Sequence, residues 1–108
     1  MSKESDWKLF STKYFEWKNR YLERFFPDYK AILDSDDTAT DKFFELKERI
    51  EEDSRAPVFR LPGRFSRNDM YMNIIALLNN GVITLDDLSE FSDEVRDMAR
   101  FNICERDQ

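Results

Sequence analysis

The fold of this chain is decided by residues 5–26, which read SDWKLFSTKYFEWKNRYLERFF. On a helical wheel, an arc of about 80° holds six aromatic rings, and three further apolar residues widen the apolar face to about 180°. The pattern predicts an amphipathic helix that ends near Pro27, because proline lacks the amide that an interior helical position donates. The six rings are Trp7, Phe10, Tyr14, Trp17, Tyr21 and Phe25.

The segment after Pro27 predicts two more helices. Residues 28–33 form a short one, and the polar residues 34–41 that follow supply side chains able to accept bonds from free amides at a helix start. Thr38 with Asp41 three residues later resembles a capping box. We therefore expect a helix from there to about residue 54, with Phe43, Leu46 and Ile50 on one face and a strongly anionic outer face.

Residues 55–66, RAPVFRLPGRFS, break the helical rhythm with two prolines and a glycine. The dipeptide Pro62-Gly63 suits the centre of a type II turn, whereas two-residue hairpins favour the primed turns. The segment is therefore predicted to be an ordered, extended crossing.

Two helices complete the chain. Ser66 is the predicted start of an apolar helix that Gly81 stops in a left-handed conformation. Thr84, with an aspartate three residues later, predicts the start of one continuous helix to about Phe101, with Ser92 as its weak point.

The composition suits a small all-α bundle. The chain has 108 residues, of which 41% are hydrophobic and 15% aromatic, enough for one small core. We expect a single helical domain over residues 1–108, with four to five helices, the extended loop 55–66 and a frayed tail at about residues 102–108.

The composition also excludes several kinds of site. The chain has no His, which removes Ser-His-Asp and Cys-His catalysis and His-bearing zinc sites. The lone cysteine, Cys104, is expected to be a passive thiol. No spacing predicts two carboxylates converging in a pocket. We therefore expect no enzyme activity, no catalytic residue and no cofactor, and a soluble cytoplasmic protein without a membrane span.

One acidic stretch resembles a calcium loop. Asp34, Asp36, Thr38 and Glu45 occupy positions 1, 3, 5 and 12 of a twelve-residue EF-hand pattern. The match fails at position 6, where Ala39 replaces the required glycine. Because helix caps explain the same oxygen atoms, we assign no metal site, although a cation on these four side chains remains the open alternative.

Charge is segregated along the chain. Residues 34–53 carry 3 basic and 9 acidic groups, residues 54–68 carry 4 and 0, and residues 69–108 carry 3 and 9. Two acidic blocks thus flank a basic one, whose Arg55, Arg60, Arg64 and Arg67 alternate with Phe59 and Phe65. Such a loop suits either single-stranded nucleic acid or ion pairs with the anionic helices of this chain or a second copy.

The aromatic first helix has two interpretations, core packing and docking. Trp and Tyr are enriched at protein interfaces, and the apolar face is wider than one neighbouring helix covers. We therefore predict a small acidic interaction or regulatory module that binds another protein or a second copy of itself. Its alternatives are an acidic nucleic-acid mimic and nucleic-acid binding through residues 55–67. The predicted contacts are Trp7, Tyr14, Trp17 and Tyr21 as a docking stripe, with Arg60 and Arg64 as charge anchors.

Overall fold

The computed structural model describes residues 4–106, and the side chains of residues 4–103. In this range the chain forms α-helices joined by turns and no strand, which confirms the predicted all-α class. The C-terminal helix continues through most of the expected tail, while the Cys104 side chain lies outside the described residues. The helices are α1 (Glu4–Leu22), α2 (Phe26–Asp34), α3 (Ala39–Asp53), α4 (Met70–Asn79) and α5 (Asp93–Arg106), with 3-10 turns at Glu23–Phe25, Pro57–Phe59 and Leu85–Leu88.

The core lies where α1, α4 and α5 meet. Helix α4 is the most apolar element, and it contributes Met70, Ile74 and Leu77, each at most 1% exposed. Phe10 of α1 and Val95 of α5 pack against it and are fully buried. Burial of each such side chain contributes about 1.5–3 kcal/mol, so this three-helix body holds most of the stability.

The last helix is not continuous, contrary to the prediction. The capping box at Thr84 forms as expected, but the element it starts is only the turn Leu85–Leu88. Ser92 lies four residues after this turn. Its backbone N–H (2.9 Å) and its hydroxyl (2.6 Å) both donate to the buried carboxylate of Asp6. Helix α5 therefore begins at Asp93, and the break falls at the predicted weak point because α1 supplies the acceptor.

The loop before α4 also differs from its prediction. Gly63 does not adopt the positive φ that a type II turn needs, whereas Gly81 does, at +73°. Gly63 is required instead by close approach, since a Cβ there would lie 2.7 Å from the Cβ of Asp69. The Asp69 carboxylate accepts the Arg64 N–H at 2.8 Å. Because Asp69 is held by the loop, α4 begins at Met70 and not at Ser66.

Helices α2 and α3 form an antiparallel hairpin. The Asp41 N–H donates to Thr38 Oγ1 at 3.2 Å, so the predicted cap of α3 is present. Across the hairpin, Arg49 donates to Asp28 at 2.9 Å and the Tyr29 hydroxyl donates to Asp53 at 2.6 Å. These polar contacts hold the two helices together side by side.

The hairpin makes the molecule long. The chain measures 54 × 31 × 21 Å with a radius of gyration of 17.2 Å, against about 13 Å for a compact chain of this length. Only Ile32 is buried in α2, and α3 contains no buried residue. The chain therefore consists of a well-packed body and a thinly packed hairpin.

Candidate protein-docking surface

The structure places the centre of the predicted docking stripe inside the body. Trp17 is 3% exposed, and its ring lies 6.0 Å from the Phe10 ring and 6.1 Å from the Phe91 ring. A partner cannot reach this side chain while the body is folded. The prediction of an exposed stripe is thus wrong at Trp17, where core packing is observed, because the ring lies beside the buried Phe10 and Phe91 rings.

The other three rings of the stripe are half-buried. Trp7 lies 5.3 Å from Phe65 of the basic loop, and the Tyr14 hydroxyl donates to the Val58 carbonyl at 2.6 Å. Burial raises the pKa of Tyr14. Trp7 and Tyr14 thus contact the chain's own residues 58–65, and the Tyr21 ring lies 5.6 Å from the Phe25 ring. A docking role for Trp7, Tyr14 and Tyr21 therefore stays a prediction, with less free area than the sequence indicated.

The basic loop is partly neutralised within the chain. Arg67 forms an ion pair with Glu4, as expected if the loop arginines pair internally. Arg60 and Arg64 are exposed, and neither lies within salt-bridge distance of a carboxylate among the side chains of residues 4–103. Their role as charge anchors stays a prediction.

Four of the six acidic residues of α3 form a row on one side of the hairpin. Asp41, Glu45, Glu48 and Glu52 are all exposed, and their helical spacing turns them about 140–200° away from Phe43. Among the described residues, no group of three or more Cys, Asp or Glu side chains is placed to hold a metal ion. In the calcium-like stretch, the Thr38 hydroxyl oxygen accepts the Asp41 N–H as the cap of α3.

Large apolar side chains are exposed mainly on and beside the hairpin. Of the eleven large hydrophobic residues exposed in the described structure, six lie between residues 26 and 59. Their exposed fractions run from 45% to 64%. Residues of this type are rarely grouped on the surface of a monomer without a function. The six are Phe26, Leu33, Phe43, Phe44, Ile50 and Phe59.

Four of these residues share one side of the hairpin. Phe26 and Leu33 are two turns apart in α2, and Phe43 and Ile50 are two turns apart in α3. The Phe26 ring lies 6.2 Å from the Tyr29 ring, and Tyr29 lines the same groove as Ile50. We call this surface the apolar side of the hairpin. It consists of the exposed Phe26, Leu33, Phe43 and Ile50 together with the half-buried Tyr29.

A groove continues the apolar side toward the body. It has a volume of about 140 Å³ and lies between the end of α1, the hairpin and the turn Pro57–Phe59. The hydrogen bond from Tyr29 to Asp53 forms its polar part, and burial together with this bond raises the pKa of Tyr29 to about 12. The groove is lined by Leu22, Phe25, Tyr29, Ile50, Asp53, Ser54 and Phe59.

Two larger hollows lie on the body. One, of about 610 Å³, is bounded mostly by apolar and uncharged residues around Gly81, with Asp86 as its charged group. The other, of about 310 Å³, is polar, and four of its six charged side chains form two ion pairs. Arg20 binds Asp87 at 2.8 Å and lowers the pKa of that carboxyl, and Lys13 lies 3.2 Å from Glu90. Neither hollow presents an arrangement of reactive groups.

The comparisons with known proteins add no functional information. No protein-family model, curated protein or solved structure matches this chain. Within residues 4–106, none of the helices combines the length and apolar composition that a bilayer crossing requires.

Proposed function

We propose that this chain is a protein-interaction module that docks through the apolar side of the hairpin and the adjoining groove. One observation carries the proposal: Phe43 is 64% exposed, and Phe26, Leu33 and Ile50 on the same side are 47–52% exposed. Helices with an unburied apolar row gain most when a second helical surface covers that row. The surface differs from the stripe that the sequence favoured, but the class of function is the same.

The size of the surface supports this assignment. A Phe side chain carries roughly 150–250 Å² of area, so each half-exposed residue presents on the order of 100 Å² to water. The four exposed residues with Phe59 therefore present roughly 500 Å², near the upper end for the largest apolar patch on a monomer. Covering such an area at about 25 cal/mol per Å² yields on the order of 10 kcal/mol before the costs of association are subtracted, and the partner's own buried area adds to this gain.

Electrostatics separate this proposal from the nucleic-acid alternatives. A nucleic-acid mimic would use the row of Asp41, Glu45, Glu48 and Glu52, which lies opposite the apolar side. A nucleic-acid ligand would use the arginine loop. Both of those contacts weaken steeply with added salt, whereas association through apolar side chains does not. The salt dependence of binding, together with the residues that contact the partner, therefore shows which of the three surfaces binds it.

Site-specific photo-crosslinking tests the proposal. The photoreactive residue p-benzoylphenylalanine replaces either Phe43 or, as the control, Phe101 of α5, which is 67% exposed on a different element. In cells that express the protein, we expect position 43 to crosslink to one discrete protein, either another protein or a second copy, and position 101 to give none. The yield at position 43 should persist at about 0.5 M salt, which screens charge contacts. Equal crosslinking at the two positions would refute the proposal.

A further inference from the structure

We infer that the occupant of the apolar side of the hairpin is a second copy of this chain, so that two α2–α3 hairpins form a two-fold symmetric four-helix bundle. The inference rests on the proposed function and names its partner. Each hairpin would be one half of the bundle, with the bodies at its outer ends. In such an isologous interface, the same surface of each copy faces the other across the two-fold axis.

The spacing of the apolar residues matches a bundle seam. In α2, Phe26, Tyr29 and Leu33 are separated by three and four residues, and in α3, Phe43, Leu46 and Ile50 repeat that separation. This alternation is the a/d pattern whose side chains pack between helices in bundles and coiled coils.

Within one chain the seam is only half covered. Tyr29, which donates to Asp53 of α3, and Leu46 are half-buried, whereas Leu33 and Phe43 are 52% and 64% exposed. A second helix pair is the element that completes such a seam, because each knob needs a hole on a facing helix.

The charges of the hairpin permit this arrangement when the acidic rows of both copies face outward. Residues 26–53 carry four basic and ten acidic side chains, so two hairpins repel each other at long range. The acidic row of α3 faces away from the apolar side and would remain in solvent. At the margin, Lys47 and Glu51 pair at 2.7 Å and offer both signs of charge to a symmetric copy. Salt should therefore strengthen the dimer, whereas it would weaken a complex with a cationic partner.

The area is sufficient for a weak dimer. The exposed residues of the apolar side and its groove present roughly 500 Å² per copy, and so roughly 1,000 Å² over two copies. Specific interfaces begin at about this size, and the half-buried Tyr29 and Leu46 add to it. We expect a dissociation constant on the order of micromolar or weaker.

Sedimentation equilibrium on the full chain, from about 1 µM to 1 mM, tests the inference. The wild type should pass from the 13.1 kDa chain mass to twice that mass, and at a lower concentration in about 0.5 M salt than in about 0.05 M salt. Phe43→Glu should weaken the dimer at least about 100-fold, because a carboxylate would be buried at the seam. Phe101→Glu, the matched control, should dimerise like the wild type.

Two further readouts make each outcome decisive. Circular dichroism shows whether each variant keeps its helix content, and Leu33→Glu on α2 repeats the test from the other helix should Phe43→Glu unfold. A wild type that stays at 13.1 kDa to millimolar concentration, or equal losses in the 43 and 101 variants, would overturn the second-copy inference. A monomer that still crosslinks to another protein at position 43 leaves the proposed function standing. A monomer without that crosslink removes both.

Discussion

Replacement of Asp6 by Ala should cost this protein about 3 kcal/mol of unfolding free energy. Asp6 is 2% exposed, and its carboxylate accepts the N–H and the hydroxyl of Ser92 at 2.9 and 2.6 Å. Hydrogen bonds to charged groups contribute about 1.5–3 kcal/mol net, and loss of an N-cap interaction costs about 1 kcal/mol. The variant leaves both Ser92 donors without their acceptor at the start of α5. For a chain of this size, the melting temperature should fall by about 10–20 °C.

Urea unfolding followed by circular dichroism measures the effect, and a double-mutant cycle assigns it. Ser92→Ala removes the hydroxyl donor but keeps the N–H, so it should cost less than Asp6→Ala. The pair should show a coupling free energy of about 1 kcal/mol or more, because each residue acts through the other. Asp6→Ala within about 0.5 kcal/mol of the wild type, or strictly additive changes, would refute the role given to this contact.

Four further substitutions test the loop before α4, the turn after α4 and the hairpin. Gly63→Ala should destabilise the body by about 1–3 kcal/mol in urea unfolding, because the new Cβ would meet Asp69, and Gly63→Asn should cost at least as much. Gly81→Asn, in contrast, should be tolerated, because the space there is open and Asn adopts positive φ; equal costs for the two Asn variants would contradict this distinction. Asp53→Asn should move the pKa of Tyr29 down from about 12 toward 10 while burial keeps it above that value, as measured by ultraviolet titration of tyrosinate. Since folding raises this pKa, Tyr29 contributes stability below pH 10 that is lost as the pH rises toward 12. An unchanged Tyr29 pKa in the Asp53→Asn variant would exclude the bond to Asp53.

The sequence predicted those parts of the fold that depend on neighbouring residues. The cap at Thr38, the capping box at Thr84 and the left-handed stop at Gly81 are all present. Each involves groups within a few residues of one another, so the local sequence contains both donor and acceptor.

The failed predictions depend on tertiary and loop contacts that helix-capping patterns do not encode. The break before α5 needs Asp6, which is 86 residues from Ser92. The late start of α4 follows from the use of Asp69 by the loop at Arg64. Local patterns marked Ser92 as a weak point and Ser66 as a helix start, but they did not show that Asp6 would bond to Ser92 or that the loop would bond to Asp69.

The candidate docking surface was missed for a related reason. Helical periodicity showed an apolar row on α1 and another on α3, including Phe43 and Ile50. It could not show which row the rest of the chain covers. The body encloses Trp17 at 3% exposure and leaves Phe43 at 64%. One signal in the sequence could have indicated the exposed hairpin. A charged, proline-containing stretch separates the α2–α3 segment from the apolar α4, and the hairpin itself buries only Ile32.

Oxidative footprinting in living cells tests the central claim most directly, because it asks whether the apolar side of the hairpin is covered. Phe43 and Phe101 are 64% and 67% exposed in the single chain, so hydroxyl radicals should modify a bare protein at the two rings to similar extents. If the apolar side docks against protein, as proposed, Phe43 should be modified several-fold less than Phe101, and the two rates should converge when the chain is unfolded. Equal modification of both rings in the cell would show that the surface is bare and would contradict the account.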